Sequence, residues 1–293
     1  MPKIYSEFKA DIPGNYVYKR SLIGSKNLDV NENEVKKACF EVEGTSKDAD
    51  CDSFVYGMYD IPPFKKEPFM LSKRNYMSRL NFEFVESVNF NGVRSRYSKS
   101  WKDVDKEFKY EKDVGRQVKS SKFFKEVLPP SLFLIENPKE KAIEIYRHIQ
   151  NHYQWNGDYK IFSDVRVKDA YKEGIGNIAE INLSLINALR AADLQVEIGL
   201  LSTRELGFVS DVYPVLTGFN YVIAFLKIGE EKILLDATDK SLSFGMIPFK
   251  ALNMRIRVMD FKKGSYWHTI VPELRNVNYY KYCLLYTSPS PRD

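Results

Sequence analysis

From Met1 to about Asn91 the chain alternates between apolar and polar positions, broken by turn residues. IYSEFKADI (Ile4 to Ile12) alternates loosely, DSFVYGMYDI (Asp52 to Ile61) is rich in aromatics, and YMSRLNFEFVESV (Tyr76 to Val88) carries Leu80, Phe82, Phe84 and Val88 at even spacing. Period-two alternation of this kind marks half-buried strands, so the region is expected to be an all-β sandwich. The three prolines of IPPFKKEPF (Ile61 to Phe69) exclude a central strand and predict an edge or crossing loop.

After this region the apolar period lengthens to that of a helix. Ser100 is placed to cap a helix carrying Trp101, Val104 and Phe108, and a second short helix is expected over Asp113 to Leu128. Pro129 and Pro130 then set the expected domain boundary, giving a first domain over 1–129. Asn137, Pro138 and Glu140 open a further helix, whose stripe is Ala142, Ile145, Tyr146, Ile149 and Tyr153. The stretch GIGNIAEINLSLINALRAADL (Gly174 to Leu194) reads as a glycine turn running into an amphipathic helix with Leu183, Ile186, Leu189 and Ala192 on one face. Strands follow at Val196 to Leu201, Phe219 to Ile228 and Lys232 to Asp236, the last two joined at Gly229, Glu230 and Glu231 as a hairpin. Helices followed by an antiparallel meander predict an α+β second domain over 130–282.

Composition narrows the class without naming an activity. With 293 residues, 44% of them hydrophobic, the chain can bury a large core. The formal charge of +5 comes from 44 basic and 39 acidic residues scattered along the chain, which forms no basic stripe and predicts no nucleic-acid partner. No apolar run approaches the ~18 residues of a membrane span, and no export signal stands at the start. Cys39, Cys51 and Cys283 match no zinc or redox spacing; whether Cys39 and Cys51 pair is left open by the sequence. The last eleven residues, CLLYTSPSPRD (Cys283 to Asp293), resemble a translated sequencing adapter and are set apart from the fold. On that reading the native protein continues beyond Tyr282.

The order of motifs resembles the transglutaminase-like core, a circular arrangement of the papain-type cysteine protease fold. Gly176 and Asn177 precede the position of that family's nucleophile, and its LLRA pattern appears as ALRAA (Ala188 to Ala192). FNYVIAFL (Phe219 to Leu226) stands where the family carries its histidine, and LLDATD (Leu234 to Asp239) where it carries D-P-T. Trp155-Asn156-Gly157, LLSTRELG (Leu200 to Gly207) and LLDATDKSLSFGMIP (Leu234 to Pro248) further resemble a bacterial group in which such a core follows an N-terminal β domain of unknown function. The resemblance implies a partial β-sandwich domain, begun inside its first strands, ahead of a papain-type domain.

That family needs a thiolate at the helix start, an imidazole beside it and a carboxylate to orient the imidazole. Here the three positions are Ile178, Tyr221 and Asp236. Ile178 has no nucleophilic atom, and Tyr221 is no base near neutral pH. Asp236 alone is retained, and it has a structural reading as well, capping a turn with Thr238. Tyr221 either fills the old cleft with its ring or offers a hydroxyl to a ligand.

The resemblance therefore implies a degenerate, non-catalytic module of the bacterial cell envelope or periplasm, binding a peptide or protein or serving as a scaffold. Ile178, Tyr221 and Asp236 are the candidate ligand site, with Arg204 able to hold a carboxylate and Trp155 a packing or contact residue. The alternative is a peptidase, amidase or transglutaminase with a non-cysteine nucleophile, for which Ser184, six residues beyond Ile178, faces the wrong side of the helix. Cys39 and Cys51 have no histidine nearby in sequence, and a spacer role is a third reading. No cofactor is expected. His148 and His152 stand at the spacing of a metal pair, but the glutamate of H-E-x-x-H and further ligands are missing, so no metal is expected.

Overall fold

The computed structural model describes residues 1–41, 48–89, 91–97, 99–209, 214, 216–272 and 279–281. Its first part holds β1 (Lys3–Pro13), β2 (Tyr16–Ile23), β3 (Val30–Glu41), β4 (Asp48–Ile61), β5 (Arg79–Val88) and β6 (Arg94–Arg96). They form two antiparallel three-stranded sheets, ordered β1-β4-β3 and β2-β5-β6. Phe82 of β5 joins the sheets, its ring 5.6 Å from Phe8 and 6.3 Å from Tyr56, while Arg20 donates to the Tyr56 hydroxyl at 2.9 Å. Residues 62–68, with their three prolines, leave the sheet after Ile61 and form no strand. The strand β3 was not expected. Its VNENEVKKACFE is charged on both faces, the composition of an edge strand protected against further pairing. Cys39 on β3 and Cys51 on β4 are disulfide-bonded, with Cα atoms 5.8 Å apart.

Helices follow: α1 (Trp101–Tyr110), α2 (Ser121–Val127), α3 (Pro130–Phe133), α4 (Pro138–His152), α5 (Val167–Glu173) and α6 (Ile178–Ala191). Ser100 and Asp103 cap α1 reciprocally, and the Asn137 side chain accepts from the amides of Lys139 and Glu140 at the start of α4. The expected helix over Asp113 to Leu128 is broken by Glu111, whose carboxylate takes the amides of Asp113 and Val114 and turns the chain before α2. Phe108, Val114, Val118, Phe124 and Leu128 share one core with α4 and α6. The helices before Pro129 thus pack on the second half of the chain, although the proline pair suggested a boundary after them.

Short strands β7 (Gln154–Trp155) and β8 (Ile175–Gly176) pair in parallel on either side of α5. β9 (Gln195–Leu201), β10 (Tyr221–Ile228), β11 (Glu231–Leu235), β12 (Arg255–Met259) and β13 (Tyr266–Thr269) form an antiparallel sheet ordered β11-β10-β9-β12-β13. Gly229 and Glu230 alone make the hairpin turn, with Gly229 at φ 58° and Ile228 paired to Glu231. The whole is an α+β protein. β10 is buried along Tyr221–Leu226 on both faces: Val222, Ala224 and Leu226 join the main core, and Tyr221, Ile223 and Phe225 a second one across the sheet.

The helix α6 departs from expectation. Only Glu180 and Arg190 are partly exposed, so it is enclosed on every side rather than amphipathic. Its polar residues point into protein. Asn182 donates to the Val222 carbonyl at 2.9 Å and accepts from the Ala237 amide at 2.9 Å. Ser184 bonds the Tyr153 hydroxyl at 2.7 Å, and Asn187 accepts from the Ser120 amide and donates to the Gln117 carbonyl.

The pair His148 and His152 lies on the α4 face that meets α5. His148 Nε2 lies 3.1 Å from the Tyr171 hydroxyl, His152 Nε2 2.6 Å from the Tyr171 carbonyl, and the His152 ring stacks on Tyr171 at 4.1 Å. Burial, reinforced by the neighbouring His152, holds His148 below its ordinary value. The fold then favours the neutral ring, while the unfolded chain takes up a proton near pH 6.5. This contribution is complete above that pH and is lost as pH falls from it through the lower folded value. The urea midpoint is expected to drop between about pH 7.5 and pH 5.5, and His148→Gln to flatten that drop; an unchanged slope in the variant would show that His148 does not contribute.

Candidate functional site

The three positions singled out in the sequence come together where α6 begins and β10 and β11 end. Asn177 caps α6: its side chain accepts from the Glu180 amide and Glu180 returns a bond to the Asn177 amide, both at 2.9 Å. Gly176 permits the approach, since a Cβ there would lie 3.2 to 3.3 Å from Glu180, Ile181 and the Tyr153 ring. This local structure puts Ile178 in the first turn of α6.

Ile178 and Tyr221 are both fully buried and belong to one apolar cluster with Leu201, Ile223, Phe225 and Ile256. The Tyr221 hydroxyl donates to Asp236 Oδ2 at 2.7 Å. Asp236 Oδ1 accepts from the Thr238 amide at 2.9 Å, the Thr238 hydroxyl at 2.7 Å and Asn182 Nδ2 at 3.3 Å. Each carboxylate oxygen is therefore occupied, and the fully buried charge is stabilised by four donors. Burial, and after it the Asp236 carboxylate, push the Tyr221 phenol far above its ordinary value, so it remains a donor at any physiological pH. The turn-capping role expected for Asp236 and the ring-filling role for Tyr221 are combined in this arrangement. The candidate ligand positions Ile178, Tyr221 and Asp236 converge, each with no exposed surface.

A lid lies over this core. Lys250, in the 3₁₀ turn Phe249–Ala251, holds its ammonium 4.4 Å from the ring centre of Tyr159, 4.9 Å from Trp155 and 5.2 Å from Tyr221. Such contacts attract a cation by the ring quadrupole. Trp155 also donates its indole N–H to the Asp158 carbonyl at 3.1 Å and meets Tyr159 edge-on. Its role is to roof the core. Neither Lys250 nor Tyr159 carries a local sequence signal, because the contact joins residues about ninety positions apart.

Arg204, the candidate for holding a carboxylate, is engaged with main-chain carbonyls. Its guanidinium donates to the carbonyls of Leu252 at 3.1 Å, Met70 at 3.3 Å and Phe69, and lies over the Phe249 ring at 4.3 Å. Ser72 and Asn75 add bonds to the Glu205 carbonyl and the Phe208 amide, both at 2.8 Å. Arg204 thus fastens the segment following β4 to the second half of the chain. Ser184 is fully buried against Tyr153, and the disulfide removes Cys39 and Cys51 as nucleophiles; Cys283 and the adapter-like tail lie outside the described residues.

No protein-family profile and no curated protein matches the chain. Among solved structures, a candidate protease from Parabacteroides distasonis is similar at TM-score 0.46 and 17% identity, covering 84% of this chain and 46% of that one. The chain thus spans about half of that protein. A candidate cysteine protease from Cytophaga hutchinsonii is similar at TM-score 0.30 and 12% identity, covering 92% of this chain and 86% of that one.

Two outcomes follow from the closed site. Tyr221→Phe leaves one buried oxygen of Asp236 without a donor and is expected to cost about 1–3 kcal/mol of stability, read from urea unfolding; a neutral effect would show that water replaces the phenol. In a Cys283→Ser background, Ile178→Cys is expected to give a thiol that an aromatic disulfide reagent modifies only after denaturant is added. Rapid native modification would mean that the core opens.

Proposed function

We propose that the second half of the chain is a transglutaminase-like, papain-type domain that has lost its chemistry and serves as a scaffold, joined to a partial β-sandwich made of the two N-terminal sheets. One observation carries the reading: at the positions of nucleophile and base stand a fully buried isoleucine and a tyrosine locked to Asp236 at 2.7 Å. A protonated phenol that donates to the carboxylate takes the place of an imidazole that a carboxylate would orient. With Lys250 above them, no substrate carbonyl reaches the start of α6.

The envelope or periplasm remains the proposed location, supported by the Cys39–Cys51 disulfide, since such bonds persist in oxidising compartments. Among the described residues no helix is long and apolar enough to cross a membrane. A peptide or protein partner, if the module has one, is proposed to meet its surface rather than the buried triad positions. No observation favours the enzyme with another nucleophile, because Ser184 is enclosed.

The chain is expected to show no hydrolysis or amine incorporation above the blank when incubated with a peptide library and a primary amine donor. Asp236→Asn is expected to lower the unfolding midpoint and change nothing else. Turnover that the substitution abolishes would return the protein to the enzymes.

A further inference from the structure

A second feature lies apart from the triad positions and does not depend on their loss of chemistry. The helix α1 and the turn between β12 and β13 border a shallow, open cleft of about 410 Å³. Lys102, Lys106 and Lys109 line one wall, at spacings of four and three that put them on one helical face; Lys262 and Lys263 line the other. The fold fixes both walls. Asp260 accepts from the backbone amides of Lys262 and Lys263 at 2.9 Å each, and Gly264, at φ 102°, closes the turn with a bond to the Asp260 carbonyl. On the other side Asp105 holds Arg257 through two bonds, at 2.9 and 2.7 Å, with both side chains largely covered.

These bonds offset only part of the nearby negative charge. Asp105 is paired with Arg257. Asp260 also lines the cleft and keeps its charge beside Lys263 while its carboxylate accepts from backbone amides, so five lysines face one unpaired carboxylate of the lining. Asp103 caps α1 through Ser100, and Glu107 pairs with Lys99. Among the described residues none of the five lysines of the cleft is in an ion pair. The exposed Tyr110 ring lies at one end, flanked at 5.9 Å by the ammonium groups of Lys109 and Lys119.

We propose that this cleft binds an anionic polysaccharide. Ammonium groups act as point charges without the fork geometry with which arginine reads single phosphates, and no arginine lines the cleft. Carboxylate or sulfate groups repeated along a sugar chain suit two such walls. One exposed ring provides a flat platform for a sugar face, whereas single-stranded nucleic acid calls for a series of rings on which successive bases stack.

The experiment is calorimetric titration of the full chain with a polygalacturonate oligomer, with neutral dextran and single-stranded DNA alongside, at about 50 mM and about 300 mM salt. Polygalacturonate is expected to bind, more weakly at the higher salt, and dextran not to bind. Lys106→Glu and Lys263→Glu, one on each wall, are each expected to weaken binding by about tenfold or more, while Lys172→Glu on α5 leaves it within about twofold. All three lysines are exposed, and an unchanged urea midpoint verifies the fold. Absence of binding, an equal loss with Lys172→Glu, or tighter binding of DNA through the same lysines would each overturn the proposal.

Discussion

A helix enclosed on every side has no solvent to satisfy its polar side chains, and α6 carries three of them at 182, 184 and 187. Each hydrogen bond there is a requirement, since an unsatisfied buried group costs about 1–3 kcal/mol. The three residues point in different directions and meet different neighbours: Asn182 the chain just after β11 and the backbone of β10, Ser184 the tyrosine that follows α4, and Asn187 the turn before α2. The layers are thereby referenced to one axis. Arg190 continues the pattern at the far end, bonding the Val196 and Val118 carbonyls and Glu197. The packing of α1 and α2 on the later half of the chain follows from this arrangement, because the bonds that Asn187 and Arg190 need are supplied by residues 117 to 120.

The site is governed by the same enclosure. A buried carboxylate is stable only if its lone pairs are taken, and Asp236 has them taken by Thr238, Asn182 and Tyr221. Tyrosine meets this need as a donor while its ring extends the apolar cluster begun by Ile178. Ile178 and Tyr221 are therefore physically coupled. An isoleucine at the helix start needs an apolar neighbour, and the phenol supplies one together with the bond that Asp236 requires. Lys250 completes the closure with its charge set against three rings.

Local signals were legible. Ser100 and Asn137 cap as their positions suggested, and the apolar runs of β9, β10 and β11 are strands because β-branched and aromatic residues fill both faces of a covered sheet. The convergence of positions 178, 221 and 236 was legible from motif order. What local pattern did not reveal depended on distant partners. The helix from Ile178 read as amphipathic because spacing cannot distinguish water from the buried carbonyls that Asn182 and Asn187 meet. Arg204 looked available because the carbonyls it serves lie far off in sequence, two of them 135 and 134 residues earlier and one 48 residues later. β3 was missed because a charged edge strand lacks alternation, and α2 begins late because Glu111 withdraws two amides from the preceding turn.

At the Arg204 joint, among the described residues, the hydrogen bonds of the guanidinium all go to main-chain oxygens, those of Phe69, Met70 and Leu252, with the Phe249 ring beneath it. Ser72 likewise meets a carbonyl. Carbonyl oxygens are common to every residue type. At 69 and 70 the arginine therefore reads the path of the chain, whereas at 72 and 75 the segment holds on through its own side chains. The hydrogen bonds of this one cation thus ask for a chain path at 69, 70 and 252 and not for particular side chains there.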